Sequence, residues 1–411
     1  MSHPLFNADH IYECSSLPDF IHLASPTCTT QIVSHTQFNS YQAWAEKSAS
    51  AFEELVILHN ISTRFLSQFY TQLFKPPPIL IITGKAELFT YIWPNGEPKT
   101  IICWNKTIIS RSSHWLRSYP FLSLDTTLSR QRLNVYRVQK NYNSQIASLP
   151  VEDEKTFSVL LSHNNHYGHF LLDDLPLLGL ASYLHPQHTL LAIDHNIKTS
   201  ILDTLHTLTL DKVRAQAVCD KYSDSQSEAV PFTANLNILH SNKHIEIVCS
   251  SPYLRAYVFQ LLFSPYLSNQ PSTRRPKKVF LSRKGIYGSR ISNYEEVEAF
   301  LLRNKFLVID PSQYPLVDLL QMIYGSEIIV TECGSTCLNA LLFSSNATRV
   351  IALVPRRLVQ EPTQTMLLGG LPYLFCYPHK LSLVTGDTIK THDIQSSDIV
   401  HYSLCDIDQA L

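Results

Sequence analysis

The sequence has no excess of charge of either sign. Its 33 Lys and Arg residues nearly cancel its 34 Asp and Glu residues. Such a balance gives no bulk attraction to nucleic acid or to an anionic membrane, so an anionic ligand must be held by local positive groups. With 411 residues, 45% of them hydrophobic, the chain has ample material for a sizeable core. We therefore expect a globular protein that has no nucleic-acid partner.

Long apolar runs and a secretory leader are also missing. The amino-terminal stretch "MSHPLFNADHIYECSSLPDF" has no basic start followed by an apolar run. No segment reaches the roughly 20 uninterrupted apolar residues of a membrane span. We expect no transmembrane segment, and peripheral attachment to a membrane through a partner stays open.

Paired cysteines and the common nucleotide-binding motifs are lacking as well. Nine cysteines are scattered from Cys14 to Cys405, too far apart for a disulfide framework or a C-x-x-C metal site. This spread favours a reducing compartment, so we predict a cytoplasmic protein. Neither G-x-G-x-x-G nor G-x-x-x-x-G-K-[ST] occurs, which argues against a dinucleotide-binding dehydrogenase and a P-loop nucleotidase.

The pattern that is present predicts an α/β protein. From about residue 150 onward, apolar strand-like runs alternate with helical stretches. Between 278 and 355 a βαβαβαβ unit predicts a doubly wound, Rossmann-like domain, whose ligand crevice lies at the carboxyl ends of its strands. The predicted strands are 78–84, 99–110, 156–162, 188–194, 213–219, 236–241, 278–283, 305–311, 327–332 and 348–355, and the predicted helices are 40–60, 198–210, 251–263, 293–304, 315–326 and 335–344.

The polar and basic stretch 268–278 is the best linker candidate. It separates a first domain, 1–265, which includes an N-terminal extension, from a second Rossmann-like domain, 266–375. The remaining tail, 376–411, is free to pack back on the first domain.

The first motif with chemistry is "FLSRKGIYGSR" at 280–290. Arg283, Lys284 and Arg290 follow a buried strand, so we expect them to face the crevice at its carboxyl end. The guanidinium fork of arginine matches phosphate oxygens, and lysine acts as a point charge. A solvated basic loop is the alternative interpretation.

The second motif is "VTECGSTCLNALLF" at 330–343, in which a strand ends at Glu332 and an apolar helix begins at Gly334, Ser335 and Thr336. Backbone N–H groups at a helix start form an anion site, and glycine permits close approach of a ligand. Because Ser and Thr are also ordinary helix N-caps, a purely structural role remains the alternative. The two motifs lie on the first and third strands of one unit, so they can converge on one nucleotide diphosphate.

The third motif is "HNNHYGHFLLDDLP" at 163–176. On an α-helix, His166, His169 and Asp173 share a face, whereas Asp174 points about 140° away from His169. The spacing lacks the H-E-x-x-H register typical of zinc sites. A His and Asp pair on one face suits proton abstraction, and a capped, solvated helix start is the alternative.

These three motifs, in this order, resemble glycosyltransferase family 61, which includes plant xylosyl- and arabinosyltransferases, animal O-linked GlcNAc-transferases and bacterial capsular polysaccharide enzymes. The pieces "HYGHFLLDDLP", "VFLSRKGIYGSRISNYEEVEAFL" and "DLLQMIYGSEIIVTECGSTCLNALLF" are similar to the family's N-Y-G-H-(F/W)-L-x-D-x-L-P, L-S-R…R-x-I-x-N-E-x-E-V and H-G-A-G-L-T-N-x-x-F blocks. The resemblance covers about 155 to 355. Here Cys333 occupies the family's His position, Thr336 its second Gly, His166 an Asn position and Tyr294 an acidic one.

The resemblance implies a GT-B fold, two Rossmann-like domains facing across a cleft, with the first on the acceptor side and the second holding the nucleotide sugar. Members are inverting transferases that use a nucleotide sugar, here expected to be a UDP-sugar, and the fold usually works without a metal. The acceptor expected is a hydroxyl of a glycan or glycoconjugate, as in capsular or surface polysaccharide synthesis. Arg283, Arg290, Asn339, His169 and Asp173 fall on the family's motif positions.

We therefore assign roles to three groups of residues. His169 assisted by Asp173 is the expected base, and Asp173 acting alone is the second choice. The expected ligands of the departing diphosphate are Arg283, Lys284, Arg290, Asn339 and the backbone at Gly334, Ser335 and Thr336. From its place at a strand end, Glu332 is expected to accept hydrogen bonds from ribose or sugar hydroxyls.

Two rival functions stay open. A metal-dependent hydrolase would need His163, His166 and His169 as metal ligands. A catalytically inactive sugar-nucleotide or glycan-binding protein of the same fold would bind the donor without turnover. Hydrolysis of a nucleotide sugar in the absence of acceptor separates an enzyme from the inactive protein.

Overall fold

The computed structural model describes residues 28–92, 98–103, 107–110, 122–124, 134–138, 145–148, 156–161, 167–194, 199–208, 213–217, 237–249, 251–268, 276–287, 289–364, 366–392 and 394–411. The strands within these ranges are β1 (Cys28–Val33), β2 (Ile79–Ile92), β3 (Pro98–Cys103), β4 (Thr107–Ser110), β5 (Leu122–Leu124), β6 (Asn134–Val138), β7 (Gln145–Ser148), β8 (Thr156–Leu160), β9 (Thr189–Asp194), β10 (Val213–Ala217), β11 (Asn237–Val248), β12 (Lys278–Leu281), β13 (Leu307–Ile309), β14 (Ile328–Glu332), β15 (Arg349–Pro355), β16 (Leu381–Lys390) and β17 (Ile399–His401).

The α-helices of the same ranges are α1 (Tyr41–His59), α2 (Thr63–Phe74), α3 (Tyr167–His169), α4 (Leu175–Leu184), α5 (Thr199–Thr207), α6 (Pro252–Ser268), α7 (Lys284–Tyr287), α8 (Tyr294–Arg303), α9 (Leu316–Tyr324), α10 (Ser335–Phe343), α11 (Arg356–Gln360), α12 (Leu371–Leu374) and α13 (Leu404–Ala410). Two π-helical turns occupy Phe170–Asp174 and Met366–Gly370. In the ranges that the structure describes, no helix is both long and apolar enough to cross a membrane.

The predicted α/β class is confirmed, and every element predicted between 278 and 355 is present with small differences at its ends. Three predictions about strands needed correction. The strand predicted at 78–84 continues to Ile92 as β2. The run 99–110 is two strands, β3 and β4, rather than one, and the strand predicted at 236–241 continues to Val248 as β11.

The chain divides into two compact units, each made of separate segments. Unit 1 contains the described residues of Met1–Gln37, Pro78–His166 and Asp173–Ser250, and unit 2 contains those of Phe38–Pro77, Tyr167–Leu172 and Ser251–Leu411. The domain boundaries expected at 265 and 375 stay a prediction. Most of the linker candidate, at 269–275, lies outside the described residues.

Unit 2 is built on a six-stranded sheet in the order β13-β12-β14-β15-β16-β17. All neighbours are parallel except β16 and β17, which are antiparallel. Val279, Phe280 and Leu281 of β12 are 0% exposed. Continuous apolar strands of this kind belong to parallel sheets that are covered on both faces, which is why the sequence shows runs and not alternation.

The strand order reverses around β12. After β12 the chain forms β13 on one side of it and then crosses to form β14 on the other side. In open parallel sheets, ligands bind outside the carboxyl ends of the strands at such a switch point. The carboxyl ends of β12 and β14 are therefore the place in unit 2 where a ligand is expected, and they carry the first two motifs.

Helices α1, α2 and α6 supply an aromatic core to unit 2. Phe52 and Phe69 stack with ring centroids 3.8 Å apart, and Phe52 also meets Phe375 edge-on at 5.0 Å. Tyr253 of α6 packs edge-on against Phe69 at 4.9 Å. These side chains are 0% exposed, and burying a large aromatic side chain contributes on the order of 2 to 3 kcal/mol.

Unit 1 contains an eight-stranded mixed sheet. Its main path is β1-β2-β11-β8-β9-β10, with β3 paired to β2 and β7 paired to β11. The pairs β11–β8, β8–β9 and β9–β10 are parallel, whereas β2 is antiparallel to each of its neighbours. A separate three-stranded sheet has the order β4-β6-β5.

Candidate active site

Two arginines from the first motif meet the start of the helix in the second motif. Gly334, the N-cap of α10, has φ of 120°, a conformation that L side chains rarely adopt. A β-carbon at this position would lie 2.7 Å from Nη1 of Arg283 and 3.6 Å from Nη1 of Arg290. Both guanidinium groups therefore lie beside the backbone of residue 334, where any residue other than glycine would place a β-carbon against Arg283. This is the convergence that the order of the motifs suggested.

The two arginines are held in a costly arrangement. Arg283 is 6% exposed, and its buried Nε makes no hydrogen bond within the part of the chain that the structure describes. Burial and the neighbouring charge of Arg283 lower the pKa of Arg290. A buried guanidinium next to a half-buried one is stabilised by an anion placed beside both, so the arrangement is suited to a phosphate-bearing ligand.

The carboxyl-terminal segment fixes the backbone of Arg290. Its carbonyl accepts a 2.8 Å hydrogen bond from the N–H of Val400, and the N–H of Ser292 donates to the carbonyl of Val400 at 2.8 Å. Nη1 of Arg290 also donates to the carbonyl of Ser396. Residues after 390 thus position a candidate phosphate ligand, which the predicted tail gave no reason to expect.

Glu332 ties the same loop to the end of β14. It is 3% exposed, and its Oε1 accepts from Oγ of Ser289 at 3.1 Å while Oε2 accepts from the N–H of Arg290 at 2.9 Å. Burial raises the pKa of Glu332, and the hydrogen bonds from Arg290 and Ser289 act in the opposite direction. The carboxylate therefore positions Arg290; its expected contact with sugar or ribose hydroxyls stays a prediction.

Lys284 lies apart from the two arginines. Its Nζ is 3.5 Å from Oε1 of Glu295 and 4.7 Å from the ring centroid of Tyr294, and its side chain is 57% exposed. Tyr294 itself hydrogen-bonds Oγ of Ser282 at 2.7 Å and donates to Glu298 at 2.9 Å. The tyrosine at the family's acidic position is thus part of the packing behind β12, and Lys284 is held on the outside.

The start of α10 offers further polar groups. Gly334 has no side chain to cap the helix, and the residues after it are Ser335, Thr336 and, one turn on, Asn339. Thr336 and Asn339 are 3% and 6% exposed, and Oδ1 of Asn339 has no hydrogen-bond partner among the described residues. Burial raises the pKa of the Cys333 thiol to about 11, so the residue at the family's histidine position stays neutral at neutral pH.

His169 belongs to unit 2 and is held by a tyrosine far away in the sequence. Its Nδ1 lies 2.9 Å from Oη of Tyr373, and the two rings meet edge-on with centroids 5.2 Å apart. Helix α3, which carries His169, and helix α12, which carries Tyr373, both contact α10. The structure therefore places His169 and the arginine pair on elements that surround one helix.

The third motif is not an unbroken α-helix. The α-helical residues Tyr167–His169 are followed by a π-helical turn over Phe170–Asp174. A π turn bonds residue i to i+5 and has more residues per turn, so the α-helical period on which the 140° angle was based does not hold in this segment. Asp173 and Asp174 are 4% and 2% exposed, and Asp173 begins a segment of unit 1.

The structure describes only part of the third motif. His163 and His166 lie outside the described residues. Of the three histidines that a metal-dependent hydrolase would need, the structure describes only His169. Among the residues that the structure describes, no group of three or more His, Cys, Asp or Glu is placed to hold a metal ion.

Sequence reasoning missed Tyr373 and Ser289. Tyr373 lies 204 positions from His169 in "GGLPYLF", a stretch with no motif. Ser289 lies within the first motif, but the sequence analysis assigned it no role. In both cases the signal is a tertiary contact, which periodicity and spacing along the chain do not carry.

A mostly parallel sheet with two arginines at a glycine-opened helix start is an arrangement suited to a phosphate-bearing ligand. The family model described as Glycosyltransferase 61 matches residues 167–351. Through this region, which contains His169 and all the residues predicted to hold the diphosphate, the chain is similar to the glycosyltransferase 61 family. A comparison with curated proteins found no match.

Proposed function

We propose that this protein is an inverting glycosyltransferase that moves a sugar from a nucleotide diphosphate, UDP in the first instance, to a hydroxyl of a glycan or glycoconjugate. One observation carries the proposal: Arg283 and Arg290 meet the start of α10 at the switch point of the unit 2 sheet. The GT-B arrangement, a cytoplasmic location and a role in capsular or surface polysaccharide synthesis belong to the same proposal.

The leaving group determines what the site must supply. In the transfer, an acceptor oxygen attacks the anomeric carbon, the bond from that carbon to the phosphate oxygen breaks, and the diphosphate leaves with the electron pair. Its growing negative charge is stabilised by groups that are already in place. Arg283, Arg290 and the backbone N–H groups at 334–336 are these groups in our proposal, and they perform the task that a divalent metal performs elsewhere.

Two further residues complete the donor side of the proposal. The amide of Asn339, on the same helix, is a ligand for the nucleotide or its sugar, because a buried amide oxygen without a partner is costly to maintain. Lys284 is exposed and sits beside Glu295, so in this proposal it adds long-range charge and makes no direct phosphate contact.

The acceptor side needs a base. We assign the acceptor proton to His169, assisted by Asp173, and keep Asp173 as the second candidate for the base. Support for His169 comes from the contact of its helix, α3, with α10. In this assignment, His169→Gln abolishes transfer and leaves binding of the nucleotide diphosphate intact.

Calorimetric titration of UDP, GDP and CDP into the full chain tests the donor site. We expect one of the three to bind, and Arg283→Ala to weaken its affinity about tenfold or more, since a hydrogen bond to a charged group contributes roughly 1.5 to 3 kcal/mol. Arg303→Ala is the matched control, because Arg303 is an exposed arginine on α8.

The titration has clear contrary results. Equal affinity of wild type and Arg283→Ala contradicts the phosphate assignment, and binding of none of the three nucleotides contradicts the proposed donor class. Nucleotide binding without hydrolysis or transfer of any UDP-sugar identifies the inactive binding protein instead.

A further inference from the structure

The partner of His169 lies outside the region that defines the family. Tyr373 comes after the end of the matched region, 167–351, and its Oη is 2.9 Å from Nδ1 of His169. Its helix, α12, is anchored by Leu371 and Leu374, which are 0% and 4% exposed. The tyrosine is therefore presented to the histidine from a fixed backbone.

The two rings constrain each other in orientation as well as in distance. Their planes are 83° apart, with centroids 5.2 Å apart, so the edge of one ring meets the face of the other. A hydrogen bond together with an edge-on contact leaves the imidazole one ring orientation. Fixing an orientation matters most for a group that must receive a proton from a particular direction.

The direction of the hydrogen bond decides where the basic lone pair lies. A neutral imidazole has one protonated nitrogen, and a bond made at one nitrogen sets the tautomer at the other. If Nδ1–H donates to Oη of Tyr373, the lone pair is on Nε2. When Nε2 then takes a proton, Nδ1 still donates and the bond becomes charge-assisted, whereas a bond donated by the tyrosine would break.

We propose that Tyr373 is a positioning residue that accepts a hydrogen bond from Nδ1–H of His169 and so places the basic lone pair of this imidazole on Nε2. The acceptor hydroxyl gives its proton to Nε2 as its oxygen bonds to the anomeric carbon, and the resulting imidazolium keeps its bond to the tyrosine. The inference rests on the proposed function for the use of the lone pair, but the tautomer itself is a property of the free protein.

Nitrogen NMR of the full chain labelled with ¹⁵N-histidine tests the tautomer directly. Two-bond ¹H–¹⁵N spectra, recorded at a mildly alkaline pH, distinguish Nδ1–H from Nε2–H rings, and His169→Gln identifies the signal of His169 by its loss. We expect His169 of the wild type in the Nδ1–H form. In Tyr373→Phe we expect it to move toward the Nε2–H form that an unassisted imidazole prefers in water.

Tyr314→Phe is the matched control, because it removes the same hydroxyl group from a tyrosine that is 43% exposed and lies away from the site. A wild-type His169 in the Nε2–H form overturns the inference, and this measurement needs no variant to fold. An unchanged tautomer in Tyr373→Phe overturns it as well.

Turnover separates positioning from a merely structural role. For a UDP-sugar that the wild type uses, we expect Tyr373→Phe to lower kcat about tenfold with the KM for the donor unchanged, and a raised KM at constant kcat contradicts positioning. If the wild type binds no nucleotide, the proposed function fails, and the tautomer result still decides the assignment of Tyr373.

Discussion

Gly334 meets two separate structural requirements of the candidate site. Its φ of 120° turns the chain from β14 into α10, and its missing side chain admits Nη1 of Arg283 at the place a β-carbon would fill. Either demand alone favours glycine. Together they explain why a glycine in this block signals a ligand site more strongly than the neighbouring Ser335 and Thr336, which also suit an ordinary helix cap.

Gly334→Ala should damage both stability and binding. The added methyl group is strained at this φ and lies 2.7 Å from Arg283, so we expect a loss of about 1 to 3 kcal/mol in the free energy of unfolding. We also expect about a tenfold loss of UDP affinity, because Arg283 must move. Urea unfolding and calorimetry measure the two effects.

Gly325→Ala is the control, since Gly325 ends α9 with an ordinary φ of −94°. An alanine at 334 that leaves UDP affinity unchanged would show that the position of Arg283 beside the helix start is irrelevant to the ligand.

For single residues, sequence reasoning succeeded where a motif is local and failed where a contact is distant. Arg283, Arg290 and Gly334 each follow a predicted strand end, and the rule that parallel strands end at one edge brings them together. Lys284 obeys the same local rule, yet Glu295 and Tyr294 hold it outside. Competition from neighbours on α8 is a tertiary effect that the spacing did not contain.

Among the secondary-structure elements, apolar runs were enough to predict β12–β15 and the helices α8, α9 and α10, because strands that are buried on both faces appear in the sequence as continuous apolar runs. Helix α2 and strands β16 and β17, which also belong to unit 2, were not predicted. The π-helical turn at Phe170–Asp174 left no such signal. "FLLDD" has the composition of an ordinary amphipathic helix, so the prediction assumed an α-helical period of 3.6 that this segment does not have.

A buried lysine from the turn before β16 caps helix α10 at the end opposite its candidate ligand site. Nζ of Lys380, which is 5% exposed, donates to the carbonyls of Leu341 and Ser344 at 2.8 Å each and lies 3.4 Å from Oγ of Ser344. These carbonyls are the orphan acceptors at a helix end. A neutral amine still has one N–H for each of the two carbonyls, and burial lowers the pKa of Lys380 to about 7.

The lowered pKa predicts how stability changes with pH. An unfolded lysine titrates near 10.4, so between about pH 7 and that value the unfolded chain binds more protons than the folded one, and stability rises with pH. Below pH 7 both states are protonated and the contribution is flat. We expect the free energy of unfolding of wild type minus that of Lys380→Met to grow by about 2 kcal/mol from pH 7 to pH 9.

Urea unfolding at several pH values checks this expectation. Taking the difference in the free energy of unfolding between wild type and Lys380→Met cancels the contributions of the other titrating groups. Lys390→Met, at the exposed end of β16, should show no such growth. A difference that stays constant or shrinks with pH would mean that Lys380 is charged in the folded protein throughout the range.

Over the full chain, the region matched by the family model does not contain every residue that shapes the candidate site. The family model ends at 351, yet Ser396 and Val400 hold Arg290, and Tyr373 holds His169. The carboxyl-terminal third of unit 2 therefore sets the geometry of residues that the motifs contain. A strand pair that closes a sheet edge leaves little sequence signature, which is why the tail gave no hint of this role.

Ligand binding should consequently protect segments that are far apart in the sequence. With saturating UDP, we expect hydrogen exchange to slow in peptides covering 283–290, 332–339 and 395–401. The first two segments contain the proposed phosphate ligands, and the third is bonded to Arg290 through Ser396 and Val400. Arg283→Ala should remove the protection of all three together, and Arg303→Ala should keep it. Protection limited to the first two segments would show that the tail holds Arg290 without sensing the ligand, and protection of none of them would place the nucleotide elsewhere.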